Sequence, residues 1–405
     1  LVVMEAMKME HVVSAPSGGQ VTRIDVAPGD AVGAGHSMLG FVSDGSQEAA
    51  AEAGAAVDLD RIRPDLAESI ERHGYGLDVN RPERVDRRHA SGKRTARENL
   101  DDLVDAGTFI EYGPLVVAAQ RKRRSIQELI EQTPGDGLVG GIGQVNGERF
   151  GDAGQCVVAS YDYMVLAGTQ GHQNHRKKDR LFEIAHRLRL PVVLFAEGGG
   201  GRPGDTDGVA VAGLDCLAFQ LFAELSGRVP LVGINGGYCF AGNAALLGCC
   251  DVVIATEGSN LGMGGPAMIE GGGLGVFHPT EVGPLDVQRS NGVVDIVVPH
   301  EAAAVAAAQR YLSYFQGSLD EWNAPDQRQL RHVIPENRLR VYDIRTVIDQ
   351  LFDVDSVLEL RADFGIGMIT ALARIEGRAV GVIANNPLHL AGAIDADGAD
   401  KASRF

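Results

Sequence analysis

Pro230-Leu231-Val232-Gly233-Ile234-Asn235-Gly236-Gly237-Tyr238-Cys239-Phe240-Ala241-Gly242-Asn243-Ala244-Ala245 is the stretch on which the fold of this chain turns. Its apolar start predicts a buried strand, the glycine pair a tight turn, and the run from Gly242 an Ala-rich helix start. The same parts stand one step upstream. Strand Pro191-Val192-Val193-Leu194-Phe195-Ala196 leads into the Gly-rich turn Glu197–Asp205, and a long apolar helix is predicted around Val209 to Leu225. Further out lie strand-like Cys156–Ser160, a helix ending near Leu190, and strand Asp251–Ala255. Strands alternating with helices at this spacing predict an α/β domain. Both glycine turns should then open on one edge of the sheet. Backbone N–H groups at such turns and at a helix start face solvent, where the helix dipole also favours negative charge. Two of them can hold an oxyanion, and removing one such donor costs roughly 3 kcal/mol in mutational cases. One Gly-rich loop most often only permits a tight turn; two after adjacent strands point to a site.

An internal repeat supports a duplicated unit. Adding 248 carries Arg97, Asp101, Leu103, Asp105 and Glu111 onto Arg345, Asp349, Leu351, Asp353 and Glu359. Adding 224 carries Leu166, Ala167, Gly168, Lys177 and Arg180 onto Leu390, Ala391, Gly392, Lys401 and Arg404. Matched charges in the same order make chance the weaker account, and the two offsets imply insertions between the blocks. Thr95-Ala96-Arg97-Glu98 has capping-box spacing before apolar Leu100, Leu103 and Val104, with a stop at Gly107.

The 405 residues, 44% of them hydrophobic, suffice for about two to three domains. Few aromatics (5%) and 53 glycines suggest tight turns and close backbone approaches. A formal charge of −17 argues against nucleic acid or an anionic membrane surface as partner, so a phosphate-bearing ligand needs a local basic patch. No apolar run is long enough to span a bilayer and no signal region opens the chain, which makes cytoplasmic residence the default expectation. The five cysteines fit neither a disulfide framework nor a zinc ribbon. His172 and His175 lack a third ligand, so no metal is expected, and Cys239 has no sequence-placed base.

At the other end, Glu5-Ala6-Met7-Lys8-Met9 resembles the biotin-attachment site of biotin-dependent carboxylases, with Lys8 the implied anchor. Short apolar runs broken by Gly and Pro from Val12 to Val32 predict strands of a small β-sandwich. Lipoyl domains share that sandwich but usually lack Met on both sides of the lysine. Residues 1–43 therefore read as the C-terminal half of a biotinyl carrier domain, followed by a linker at 44–60. Half a sandwich leaves apolar faces uncovered, so this segment is expected to be poorly ordered or paired with something absent from the sequence. The chain opens without Met and is expected to be a fragment of a longer protein.

The strand, Gly-Gly turn and Ala-Gly-x-Ala helix start, with Asp251 and Gly262–Gly273, resemble carboxyltransferase subunits of acyl-CoA carboxylases. His89-Ala90-Ser91-Gly92-Lys93-Arg94-Thr95-Ala96-Arg97-Glu98 resembles that family's opening signature, and Ala384-Asn385-Asn386-Pro387 the start of its second domain. The order of parts looks most like the single-chain acyl-CoA carboxylases, the long-chain type included. The resemblance implies a crotonase-like ββα spiral at 61–320 and an incomplete second copy at 321–405. It implies that biotin gives up carbon dioxide and removes the proton beside the thioester, and that the resulting enolate attacks the carbon dioxide. By position it implies Gly242 and Asn243 as donors to the acyl-CoA enolate, with Gly199 and Gly200 lining the pocket. Asn243 stands where many relatives have Gly, and four glycines precede Arg202 where many have Ser-Gly-Gly-Ala. Arg202, Lys177 and Lys178 are the candidate substrate-binding residues. The runs Arg121–Arg124 and Arg176–Lys178 could meet coenzyme A phosphates, although such runs are more often solvated faces. Biotin is the implied cofactor; ATP, Mg and bicarbonate are implied only for a biotin carboxylase upstream. Implied partners are biotin protein ligase, that biotin carboxylase and further copies of the chain, with a hexamer the form considered. The biotin-side oxyanion hole maps past Phe405, so this fragment alone is expected not to carboxylate. Two other readings stay open: a crotonase-fold hydratase or isomerase using Glu270, and a non-catalytic carrier or assembly subunit.

Overall fold

The computed structural model describes residues 1–45, 58–208 and 216–405. The chain divides into Leu1–Ala67 and Glu68–Phe405. In the first unit, β1 (Val2–Ala6) pairs antiparallel with β2 (Met9–Val13), Ala6 opposite Met9. The two residues between them, Met7 (φ 53) and Lys8 (φ 65), are both left-handed, as a type I′ hairpin turn requires. A second hairpin joins β3 (Gly19–Ile24) and β4 (Leu39–Ser43). The segment expected to be poorly ordered or paired with something absent from the sequence forms two hairpins. Its uncovered faces are as expected, since no residue of 1–45 is buried and Ile24 is 72% exposed. Most of the expected linker, 46–57, lies outside the described residues.

The second unit is built on a seven-stranded sheet. Its strands are β5 (Ile110–Glu111), β6 (Leu138–Gln144), β7 (Gln155–Tyr161), β8 (Val192–Phe195), β9 (Leu231–Asn235), β11 (Val252–Thr256) and β13 (Ile296–Val298), in the order β13-β11-β9-β8-β7-β6-β5. From β7 to β13 all pairs are parallel, and β5 and β6 close the edge antiparallel. Strands covered on both faces read as continuous apolar runs, which is why Val192-Val193-Leu194 and Leu231-Val232 were legible. One face carries helices His172–Leu188 and Ala218–Glu224, whose Phe182 and Phe222 rings meet at 4.7 Å. The other carries Ala96–Leu103 and Glu301–Gln316, which bury Leu100, Leu103 and Leu312. Each such side chain contributes roughly 1.5–3 kcal/mol. Of the helix expected from Val209 to Leu225, Ala218–Glu224 is present and 209–215 lie outside the described residues. No helix among the described residues is long and apolar enough to cross a membrane.

The repeat is structural. Strands β14 (Leu358–Leu360), β15 (Met368–Ile375) and β16 (Arg378–Asn385) form an antiparallel sheet. Arg97 pairs with Glu111 at 3.0 Å, and Arg345 with Glu359 at 2.7 Å. Leu166-Ala167-Gly168 and Leu390-Ala391-Gly392 are both left-handed turns. Lys177 donates Nζ to the Leu138 carbonyl and Lys401 to that of Arg361. The Asp162 amide donates to Gly137 and the Asn386 amide to Gly367, each at 2.9 Å, so Gly367 takes the place of Gly137. The extra residues of the first copy therefore lie partly between Glu111 and Gly137 and partly in the loop joining β6 to β7.

Candidate active site

The stretch after β9 behaves as its residues dictate. Gly236 and Gly237 turn the chain into β10 (Tyr238–Phe240), which pairs parallel with β12 (Asn260–Gly262). A side chain on Gly236 would meet Glu301 Oε1 at 2.6 Å, and one on Gly237 would meet Glu197 Oε1 at 2.3 Å. The glycine pair is needed because two buried carboxylates press on the turn. Ala241 then holds φ 49 and ψ −120, a conformation costly for a residue with a Cβ, and helix Gly242–Gly248 begins. No side chain caps this end. The first intrahelical bond runs from the Ala245 amide to the Ala241 carbonyl at 2.9 Å, so the amides of Gly242, Asn243 and Ala244 precede any i−4 acceptor in the helix.

The glycine loop after β8 is held against this helix start. Gly198 exchanges backbone bonds with Tyr238 (2.7 Å) and Phe240 (3.0 Å). The Gly199 amide donates to the Ala167 carbonyl (3.1 Å), and the Gly200 amide to Asn243 Oδ1 (3.1 Å). Both amides are thus committed, and these two glycines can line a pocket but have no free donor. Gly201 differs. Its neighbours pair with Gln170, through the Gly200 carbonyl at 2.7 Å and the Arg202 amide at 3.0 Å, whereas the Gly201 amide bonds no group among the described residues. Sequence reasoning passed over Gly201, although alternation along a parallel bridge turns its N–H away from the partner.

Asn243 is fully buried, and its side chain works as a latch, with Nδ2 donating to the Gly168 carbonyl at 3.3 Å. It joins the helix start, the glycine loop and the turn at Leu166–Gly168. Replacing Asn243 with glycine strips the Gly200 amide of its acceptor and is expected to lower unfolding free energy by about 2 kcal/mol, measured by urea denaturation. Unchanged stability would show that the latch contributes nothing.

Beneath the turn, the signature around His89 serves as scaffold. Arg88 grips Glu197 with both Nη atoms (3.0 and 2.5 Å) and lies 3.5 Å from Glu301. Lys93 donates to the Gly236 carbonyl, and the Arg94 amide to Glu301 Oε2 at 2.7 Å. Thr95 and Glu98 complete the capping box. Burial pushes the Glu301 carboxyl up from its ordinary range, against the Arg94 amide and Arg88, which pull it down.

The structure places Arg202, Lys177 and Lys178, the expected substrate-binding residues, inside the fold with partners of their own. Arg202 is enclosed, paired with Asp136 and with Asp205 at 3.4 Å, and donates to the Thr169 carbonyl at 2.8 Å. Lys177 and Lys178 lie under helix His172–Leu188, where Lys178 donates to Tyr161 Oη at 2.8 Å. Burial lowers Lys177 to about 8 and Lys178 to about 7. Each sits four residues before a fully buried Leu181 or Phe182, and that periodicity marks their face as inward. Cys239 is buried and its thiol is pushed up by burial, which gives no nucleophile. His175 Nδ1 lies 2.9 Å from Cys216 Sγ and burial lowers it to about 3. Glu270 is exposed on helix Pro266–Gly271, so no acid or base is fixed there.

The glycine loop and the start of helix Gly242–Gly248 thus each present amides without a partner among the described residues, on an α/β scaffold. The chain belongs to the carboxyl transferase family, whose domain model matches residues 87–405; residues 1–41 match the model of biotin-requiring enzymes. It is 31% identical over 361 residues to the biotin-dependent long chain acyl-coenzyme A carboxylase beta4 subunit of Mycobacterium tuberculosis, covering 84% of this chain and 64% of that one. It is 29% identical over 338 residues to the methylmalonyl-CoA carboxyltransferase 12S subunit of Propionibacterium freudenreichii subsp. shermanii, covering 80% and 61%. Among solved structures, a single-chain, multi-domain long-chain acyl-CoA carboxylase matches with TM-score 0.83 and 58% identity, over all of this chain and 39% of that one. A transcarboxylase 12S hexamer with methylmalonyl-coenzyme A bound matches with TM-score 0.71 and 27% identity, covering 86% and 68%. The chain spans less than two thirds of the length of the two relatives named first.

Proposed function

We propose that this chain is the carboxyl-transfer part of a biotin-dependent acyl-CoA carboxylase, moving a carboxyl group from biotin on Lys8 to the α carbon of an acyl-CoA. The observation that carries this reading is the tandem of a biotin-type lysine hairpin and a carboxyl transferase unit in one chain. Lys8 suits the attachment, since it is exposed at the tip of a two-residue hairpin turn. Biotin, when bound there, supplies the carboxyl group. The chain's own part is to hold the enolate oxygen formed when the thioester loses its α proton. The amides of Gly242 and Asn243 open the helix and that of Gly201 lies in the glycine loop, with Gly199 and Gly200 lining the pocket. The unit follows the crotonase-like spiral, with 61–320 as its first copy and 321–405 as the start of the second. Biotin protein ligase, an ATP-dependent biotin carboxylase and further copies of the chain are its partners. A hydratase or isomerase is disfavoured because Glu270 is exposed and Arg88 occupies Glu197.

Incubation with biotin protein ligase, biotin and ATP followed by peptide mass spectrometry is expected to place the label on Lys8. The full-length protein is expected to carboxylate an acyl-CoA in a biotin-dependent assay. A label elsewhere, or water addition to an enoyl-CoA without carboxylation, would overturn the reading.

A further inference from the structure

One helix, Pro82–Ala90, together with Arg81 just before it, carries four arginines with unequal fates. Arg81 is buried between Asp78 (2.8 Å) and Asp162 (2.6 Å), and Arg88 is neutralised by Glu197 and Glu301. Arg84 and Arg87 have no carboxylate in ion-pair range among the described residues. Both line a cavity of about 460 Å³, with Arg124 on its rim and Tyr163, Met164 and Leu166 as its apolar wall. Arg84 is positioned in advance: its Nη1 donates to the Gln132 carbonyl at 3.2 Å and its Nη2 to Gln132 Oε1. Two cations three residues apart on a helix repel each other, and the half-burial of Arg84 raises the cost. Burial, Arg81 and Arg87 all pull the Arg84 guanidinium below its ordinary value. In a chain of charge −17, this is a local positive concavity with no carboxylate paired to Arg84 or Arg87 among the described residues.

The wall ties the cavity to the candidate active site. Leu166 opens the left-handed turn whose Ala167 and Gly168 carbonyls hold the Gly199 amide and the Asn243 side chain. A ligand with its anionic end on the arginines would pass along that turn toward Gly201 and Gly242.

We propose that Arg84 and Arg87 bind the phosphate-bearing end of coenzyme A. This deepens the acyl-CoA reading and rests on it. Guanidinium groups suit phosphate oxygens, and Arg84 loses little freedom on binding because Gln132 already orients it. The surface run Arg121–Arg124 contributes only through Arg124, which forms a loose 3.7 Å pair with Glu128.

The test is titration calorimetry of the 405-residue chain with propionyl-CoA and with propionyl-pantetheine, which carries the same thioester and no phosphate. The wild type is expected to prefer propionyl-CoA. The R84Q/R87Q double variant should lose that preference, by at least about tenfold, with propionyl-pantetheine affinity unchanged. R87Q alone, at an exposed residue without a hydrogen-bond or ion-pair partner among the described residues, should lose part of it with an unaltered melting temperature. Wild-type affinity for propionyl-CoA in both variants, or equal losses for both thioesters, would overturn the assignment. Equal wild-type affinity for the two thioesters would overturn it while leaving the acyl-CoA reading intact. Failure of the wild type to bind either would overturn both.

Discussion

Replacing Arg88 with alanine is expected to cost about 3–5 kcal/mol of stability, the range for a buried ion pair that loses one partner. Arg88 is enclosed, and it is the cation that Glu197 and Glu301 share. Without it two carboxylates are left under the Gly236–Gly237 turn, each so close that a Cβ on one of the glycines would strike it. Lys93 is already bound to the Gly236 carbonyl. The loss should depend on pH. With Arg88 gone, the Glu301 carboxyl, already pushed up by burial, loses a cation that pulls it down and rises further above its unfolded value of about 4.3. Such groups destabilise the fold above the raised values and cost nothing below the unfolded ones, so the deficit shrinks as pH falls. Urea midpoints at pH 8 and pH 5 check this: the gap between variant and wild type should be wider at pH 8. Adding E197Q and E301Q should recover most of the loss at pH 8. A pH-independent deficit would mean that Arg88 acts by packing alone.

The parts of this molecule that sequence revealed are those written in local chemistry. Apolar runs gave β8, β9 and β11 because both faces of each are covered, and Thr95 with Glu98 marked a helix start through a bond spanning three residues. The repeat was visible because its matched charges are structural pairs, Arg97 with Glu111 and Arg345 with Glu359, each spanning 14 positions. The site was less legible, because its connections are long. Asn243 reaches Gly200 across 43 positions and Gly168 across 75, and no local pattern announces either bond. The burial of Arg202, Lys177 and Lys178 was not legible, because charge alone suggests solvent. Their partners, Asp136, the Leu138 carbonyl and Tyr161, come from other strands and turns. Why Ala241, rather than glycine, holds φ 49 has no evident physical reason in the structure.

Gly201 decides whether the glycine loop acts in the chemistry or only in folding. Proline at this position is expected to cut kcat for carboxyl transfer by the full-length protein about 10²–10³-fold, with KM little changed. The Gly199 and Gly200 amides are committed within the fold, and Gly201 contributes the one loop amide between Gly199 and Arg202 that bonds nothing among the described residues. Proline removes this hydrogen and puts a ring carbon in the place of the N–H. The backbone bonds to Gln170 use the Gly200 carbonyl and the Arg202 amide, which proline leaves in place. A Cβ at residue 201 meets nothing within 4 Å, so the alanine control fits without a clash. Gly201→Ala keeps the amide and fills only open space, and it should therefore run at close to the wild-type rate. A fall confined to kcat identifies an interaction made in the transition state, because a loop that merely shaped the pocket would move KM as well. Equal rates for the proline and alanine variants would assign the oxyanion to the helix start at Gly242 alone.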